Sequence, residues 1–173
     1  MLVRREEPRD VQAAREVTAE AFGEAGRPAA VPAEVTLLDE LRLSGAWLPA
    51  LSLVAVSATG EIVGHVLCTR GRAGGTPALA LAPLAVRPSH QRRGVGQALM
   101  HAVLGAADAL GEPLVGLLGD PGYYARFGFR PGSEHGIAAP VPEWGRHFQI
   151  RTLATWQASI SGVFVYPEPF GRV

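Results

Sequence analysis

Lysine is missing altogether: all 16 basic side chains are arginine, and 16 carboxylates bring the formal net charge to zero. Without a lysine amine, the chain can form no Schiff base with pyridoxal phosphate or a carbonyl substrate and has no phosphate-binding lysine of the Walker type. Cysteine is almost as scarce. Cys68 is the single one, which excludes an intrachain disulfide and any multi-cysteine zinc site. It follows the apolar run Ile62-Val63-Gly64-His65-Val66-Leu67, where a small buried core residue is expected. The five histidines have no metal-ligand spacing, so no metal is expected. Long apolar runs are also lacking: none approaches the ~20 residues needed to cross a bilayer, and Met1 to Pro8 has no apolar signal core. A cytoplasmic protein with no membrane partner is expected. Zero net charge, with no interleaving of aromatics and arginines, leaves no nucleic-acid footprint either.

What is present is a chain of 173 residues, 47% hydrophobic and 18% charged, long enough for one domain with a sizeable core. Leu2 to Arg5 reads as a short strand. Asp10 reads as an N-cap for a helix with Val11, Ala14, Val17, Ala21 and Phe22 on its inner side. Gly23 to Pro32 interrupts, and a second helix over 33–43 follows with Val35, Leu38 and Leu41 inward. Leu51 to Val56 and Glu61 to Thr69 form a hairpin about Ala58-Thr59-Gly60, and Gly71 to Pro77 is a loop. Ala78 to Val86 is the next strand, although Pro83 lacks an N–H and demands a bulge or a local parting. Leu114 to Leu118 is a short strand of the buried type, followed by a helical turn or two at Tyr123 to Phe127 and a strand at Phe129-Arg130. Gly- and Pro-rich residues 131–142 read as irregular, and Phe148 to Leu153 and Gly162 to Tyr166 as returning strands.

The stretch that organises the chain is residues 79–111. After Val86 comes Arg87-Pro88-Ser89-His90-Gln91-Arg92-Arg93-Gly94-Val95-Gly96, then a helix whose apolar face is Val95, Leu99, Ala102, Val103, Ala106 and Leu110, stopped by Gly111 and Pro113. A helix start presents amide N–H groups without intrahelical partners at the positive end of the macrodipole, so it holds anions well. Gly94 and Gly96 keep the approach free of side chains. No carboxylate occurs between Glu61 and Asp108, whereas Arg70, Arg72, Arg87, Arg92 and Arg93 all fall there. Positive charge concentrated on a strand, loop and helix start points to a phosphate-rich ligand.

Two landmarks in order then resemble the GNAT superfamily of acetyl-coenzyme A dependent N-acetyltransferases. Gln91-Arg92-Arg93-Gly94-Val95-Gly96 after Val86 is similar to the family's cofactor loop. Tyr124-Ala125-Arg126-Phe127-Gly128-Phe129 is similar to its tyrosine four residues before a Gly-Phe pair. The likeness is tight over about residues 79–130 and says little after 131. It implies an α/β fold with a mixed sheet of six to seven strands, about four flanking helices, and a bulged strand that splays before the loop, where Pro83 stands. It also implies one domain over residues 1–173, with 131–173 packing on the sheet or on the substrate pocket.

Carried over residue by residue, the resemblance gives Leu84, Ala85 and Val86 backbone contacts to the pantetheine arm. Leu84 or Ala85 N–H would polarise the thioester carbonyl. Gln91, Arg92, Arg93, Gly94, Val95, Gly96 and Gln97 would bind the pyrophosphate. Tyr124 would be the general acid for the departing thiolate, with membership of the Tyr123, Tyr124, Phe127 and Phe129 aromatic cluster as its structural alternative. Acetyl-CoA is the implied cosubstrate and a small-molecule or peptide amine the implied acceptor; a homodimer is compatible.

The pattern departs from the family at the general base. Where many members have a strand glutamate, Pro83, Leu84 and Ala85 offer none, which leaves His65, Asp120, Glu134, His135 or a water chain. That gap also admits a non-catalytic coenzyme A binding module. A dinucleotide-binding fold fails because Leu99 replaces the third glycine of its fingerprint and Leu114 stands where its ribose-binding acid would be. The acceptor pocket is expected from residues 23–49 with Trp47 and 131–148 with Trp144.

Overall fold

A computed structural model describes residues 1–23 and 31–172; most of the expected interruption between Gly23 and Pro32 lies outside them. Within the described residues the strands are β1 (Leu2–Arg5), β2 (Ser52–Val56), β3 (Ile62–Ala73), β4 (Thr76–Val86), β5 (Leu114–Leu118), β6 (Arg130–Pro131), β7 (Ile137–Ala138), β8 (Phe148–Thr152) and β9 (Gly162–Val165). The helices are α1 (Val11–Phe22), α2 (Ala33–Leu43), α3 (Val95–Ala109) and the single turn α4 (Pro121–Tyr124). They form the expected mixed α/β architecture. One sheet runs in the order β1, β2, β3, β4, β5, β8, β6, with β9 joining the far end of β3 and carrying β7. Neighbours are antiparallel through β4, parallel between β4 and β5, and antiparallel again between β5 and β8. β6 and β7 have only two residues each, so the longer strands match the expected six to seven.

Helices α1 and α2 cover one face through Val17, Leu38 and Leu41 packed on Val54, Ala85 and Leu67. On the other face, α3 sets Val95, Leu99, Met100 and Val103 against Leu53, Val66, Leu79 and Leu81. Its buried stripe, Val95, Leu99, Met100, Val103, Leu104 and Ala107, differs from the one predicted, and Leu110 is 56% exposed. Its direction still falls within that stripe, but Leu110 lies past Ala109, the last residue of the helix. Two other expectations need correction. Asp10 stands before α1 but caps no N–H of that helix; its carboxylate accepts from the Glu7 amide at 2.8 Å, capping the 3-10 turn Pro8–Asp10, and from Arg4 at 2.6 and 3.0 Å, tying β1 to the helix start. The predicted loop over 71–77 is a tight turn at Gly74-Gly75, because β3 and β4 stay paired from Gly71↔Ala78 to Ala73↔Thr76.

The decisive irregularity is in β4. Its register with β3 passes from Cys68↔Leu81 to Val66↔Leu84, so β4 carries one extra residue at Ala82-Pro83. A strand alternates its faces with a period of two, and one extra residue reverses that alternation. Leu79 and Leu81 therefore face α3, and so do Leu84 and Val86 beyond the bulge, whereas Ala85 packs on the α1 side. On its other edge β4 pairs with β5 only at Leu79↔Val115 and Ala80↔Gly116. Beyond Ala80 the two strands part, as Pro83 led one to expect. No helix among the described residues is long and apolar enough to cross a membrane.

Candidate active site

The parting of β4 and β5 opens onto the loop between β4 and α3. Arg92, at φ 59°, and Gly94, at φ 83°, both adopt the left-handed conformation. For arginine this costs on the order of 1 kcal/mol and is uncommon, whereas glycine takes it freely. Gly94 occupies the N-cap position without a side-chain cap. The first bond of the helix runs from Ala98 N–H to Gly94 O at 3.0 Å, so the amides of Val95, Gly96 and Gln97 precede it. Left-handed residues at a helix start turn successive N–H groups into a concave anion-binding surface. Gln91 fastens the loop to the strand, its Nε2 donating to Val86 O at 3.0 Å.

Two adjoining cavities follow from this geometry. One, of about 370 Å³, is lined by Leu84, Val86, Gln91, Arg92, Gly96 and Tyr123, and it shares Phe22, Leu84 and Tyr124 with the other. The other, of about 360 Å³, continues past Leu81, Ala82, Pro83 and Leu118 to Glu34, Leu37, Trp144, Tyr166 and Phe170. Tyr124 thus stands at the junction. Its ring packs edge-on against Tyr123 at 4.9 Å and Phe129 at 5.8 Å. Its hydroxyl has no hydrogen-bond partner among the described residues. Burial, reinforced by Tyr123, pushes the Tyr124 phenol up to about 12, so it is a protonated donor at neutral pH.

Gly96 has a more specific task than keeping an anion's path clear. A Cβ there would sit 2.7 Å from the Tyr123 hydroxyl, so its smallness also seats Tyr123 against α3. The arginines need a larger correction. Arg70 is held by Glu112 through bonds of 2.7 and 2.5 Å, and Arg87 by Glu20 and, at 3.3 Å, by Glu61. Arg72 folds back on Gly75 O. Of the five, only Arg92 and Arg93 lie in the turn just before α3, and neither forms an ion pair among the described residues.

In sequence and structure this chain resembles known acetyltransferases. Residues 15–129, more than half of its length, match the acetyltransferase (GNAT) family model. The chain belongs to the GNAT acetyltransferase family. Among curated relatives of this GNAT protein, N-acetyltransferase YjhQ of Escherichia coli K12 is 37% identical over 168 residues, covering 92% of this chain and 88% of that one. N-acetyltransferase YhbS of the same organism is 31% identical over 143 residues, covering 81% and 84%. The crystal structure of E. coli YhbS in complex with CoA superposes with a TM-score of 0.88 at 28% identity, over 99% of this chain and 92% of that one. A Brucella melitensis GNAT acetyltransferase in complex with acetyl-CoA gives 0.77 at 29% identity, over 98% and 97%.

None of the four side chains expected as general base lines either cavity. His65 is fully buried under α2, with Nε2 3.0 Å from Ser52 Oγ and 3.1 Å from Glu6. Asp120 is spent as the cap of α4, accepting from Gly122 N–H at 2.9 Å. Glu134 is exposed, and His135 packs edge-on against Trp156 at 5.7 Å. Trp47 also lies elsewhere, stacked under the Arg42 guanidinium at 4.6 Å, whereas Trp144 does reach the cavity. Cys68 is buried and its thiol is pushed up, first by burial and then by Glu112, which rules out a nucleophilic thiolate.

Sequence reasoning missed Glu34, the sole charged residue among the described ones lining the farther cavity. It also placed Phe22 inside α1's packed face, yet Phe22 is 40% exposed and forms the wall between the cavities. A signal for Glu34 existed. It stands four residues before Leu38 and three before Leu37, so helical spacing puts it at the first turn of the inward face of α2.

Proposed function

We propose that this GNAT protein transfers an acetyl group from acetyl-CoA to a primary amine by direct attack within a ternary complex. The observation that carries this reading is the pair of adjoining cavities, one reaching Gln91, Arg92 and Gly96 at the loop and helix start along Leu84 and Val86 of β4, the other continuing past Pro83, which meet at Tyr124. In this reading the amides of Arg92 to Gln97 hold the pyrophosphate, with the Arg92 and Arg93 guanidinium groups beside it. The Leu84, Ala85 and Val86 backbone guides the pantetheine arm. Leu84 or Ala85 N–H then polarises the thioester carbonyl as charge builds on its oxygen.

The amine nitrogen attacks the carbonyl carbon, forming the C–N bond. Collapse of the tetrahedral intermediate breaks the C–S bond, and the Tyr124 phenol gives its proton to the departing thiolate. The amine enters as an ammonium and gives one proton to water before it attacks; the proton that its nitrogen sheds afterwards restores the Tyr124 phenol, so each turnover releases an amide, coenzyme A and one proton. Tyr124 is the single residue that lines both the cofactor side and the acceptor side and also carries a transferable proton at neutral pH.

Coenzyme A release measured across a panel of amines tests the transfer, and calorimetry with acetyl-CoA tests the loop. Replacing both Arg92 and Arg93 with alanine is expected to weaken acetyl-CoA binding roughly tenfold or more at low salt and to flatten its salt dependence. Unchanged affinity in that variant would remove the phosphates from this loop. Acetyl-CoA binding without turnover on any amine would replace the transferase with a coenzyme A binding module.

A further inference from the structure

We infer that the acceptor is a small primary amine that enters as a single ammonium on an apolar, aromatic-sized body, with Glu34 pairing with that ammonium until it loses a proton to water and the neutral nitrogen attacks. This rests on the transferase reading above and deepens it. Glu34 is only half-buried, in the first turn of α2, and is the one charged side chain among the described residues that line the cavity beyond Tyr124. The rest of that lining is apolar or aromatic. Trp144, Tyr166 and Phe170 form a continuous wall, with ring centroids 5.9 Å apart for Trp144 and Tyr166 and 4.8 Å for Tyr166 and Phe170.

Charge counting decides between acceptor classes. An ammonium entering the cavity meets one carboxylate; a second cation on the same molecule would meet none among the described residues. Leaving a charge unpaired against a largely apolar lining is costly, so polyamines and aminoglycosides are selected against. An apolar body gains by contact with the Leu37, Leu118 and aromatic surfaces, and the ammonium gains further from the ring faces.

The test compares kcat/KM for 2-phenylethylamine, tyramine and spermidine in the wild type and in Glu34→Gln, with the KM for acetyl-CoA measured alongside. The two aromatic monoamines are expected to exceed spermidine by at least tenfold. Glu34→Gln is expected to raise their KM by about tenfold or more with the acetyl-CoA KM unchanged, and Glu34→Asp to recover part of the loss. Spermidine equal or superior to the monoamines, or a Glu34→Gln enzyme with unaltered amine KM, would overturn the acceptor assignment and leave the transferase standing. Absence of turnover on all three, with acetyl-CoA still bound, would overturn it as well; whether the transferase falls too is read separately from the wider amine panel.

Discussion

Tyr124→Phe is expected to lower kcat for acetyl transfer by about 10² to 10⁴-fold, the usual range for loss of a general acid, while the KM for acetyl-CoA changes little. The substitution removes one oxygen and keeps the ring that packs against Tyr123 and Phe129, so a fall in kcat reports chemistry rather than a damaged wall. At first sight a phenol pushed up to about 12 is a poor acid for a thiolate whose ordinary value is about 8.5. The comparison changes inside the cavity, because the burial that disfavours the phenolate also disfavours the thiolate and raises its demand for a proton. The pH profile supplies a second test. A general acid must be protonated, so activity that depends on Tyr124 persists below its pKa and fails above about 12. No alkaline decline from this group should appear between about pH 8 and pH 10. A Tyr124→Phe enzyme with wild-type kcat would reduce Tyr124 to a member of the aromatic cluster.

The loop before α3 was legible because its parts are contiguous: glycines, arginines and a helix start within ten residues can be read without knowing the fold. Pro83 was legible for a similar reason, since a residue with no N–H inside an apolar strand must disrupt the ladder wherever that strand lies. The farther cavity was legible only in part: Glu34, Leu37 and Trp144 come from the two segments expected to shape it, whereas Phe22, Leu118, Tyr166 and Phe170 do not. Its wall comes from α1, α2, β4, β5 and the segment beyond residue 131, and each contributor reads locally as an ordinary helix or loop residue. Electrostatics misled for the same reason. A stretch without carboxylates in sequence is not one in space, because Glu112 and Glu20 come from outside the interval to neutralise Arg70 and Arg87. His65 likewise attracts notice as a polar residue in an apolar strand, but only the fold shows that it points away from the cavities toward Glu6.

That last contact carries the largest expected effect on stability. Glu6 lies almost wholly buried beneath α2, with Arg42 Nη1 2.5 Å from one carboxylate oxygen, and with Ser52 Oγ and His65 Nε2 against the other. Burial alone would raise its pKa. Hydrogen bonds from His65, Arg42 and the Ser52 hydroxyl outweigh burial and bring Glu6 from 4.5 down to about 2. A carboxylate depressed in the folded state contributes stability that is fully present above its unfolded value and lost as pH falls through its folded one. The window here is therefore about pH 4.5 down to about pH 2, and the shift corresponds to about 3 kcal/mol. Glu6→Gln should cost about 3 to 5 kcal/mol at neutral pH, because it leaves the largely buried Arg42 guanidinium without its counter-charge. It should also flatten the decline in stability toward acid, with a remnant from Asp10, whose carboxyl the Arg4 guanidinium holds below its ordinary range. Urea unfolding midpoints compared for the two proteins from about pH 7 to about pH 3 measure both effects. Parallel pH curves for wild type and variant would show that Glu6 titrates alike in the folded and unfolded chains, and that the buried pair holds α2 to the sheet by packing alone.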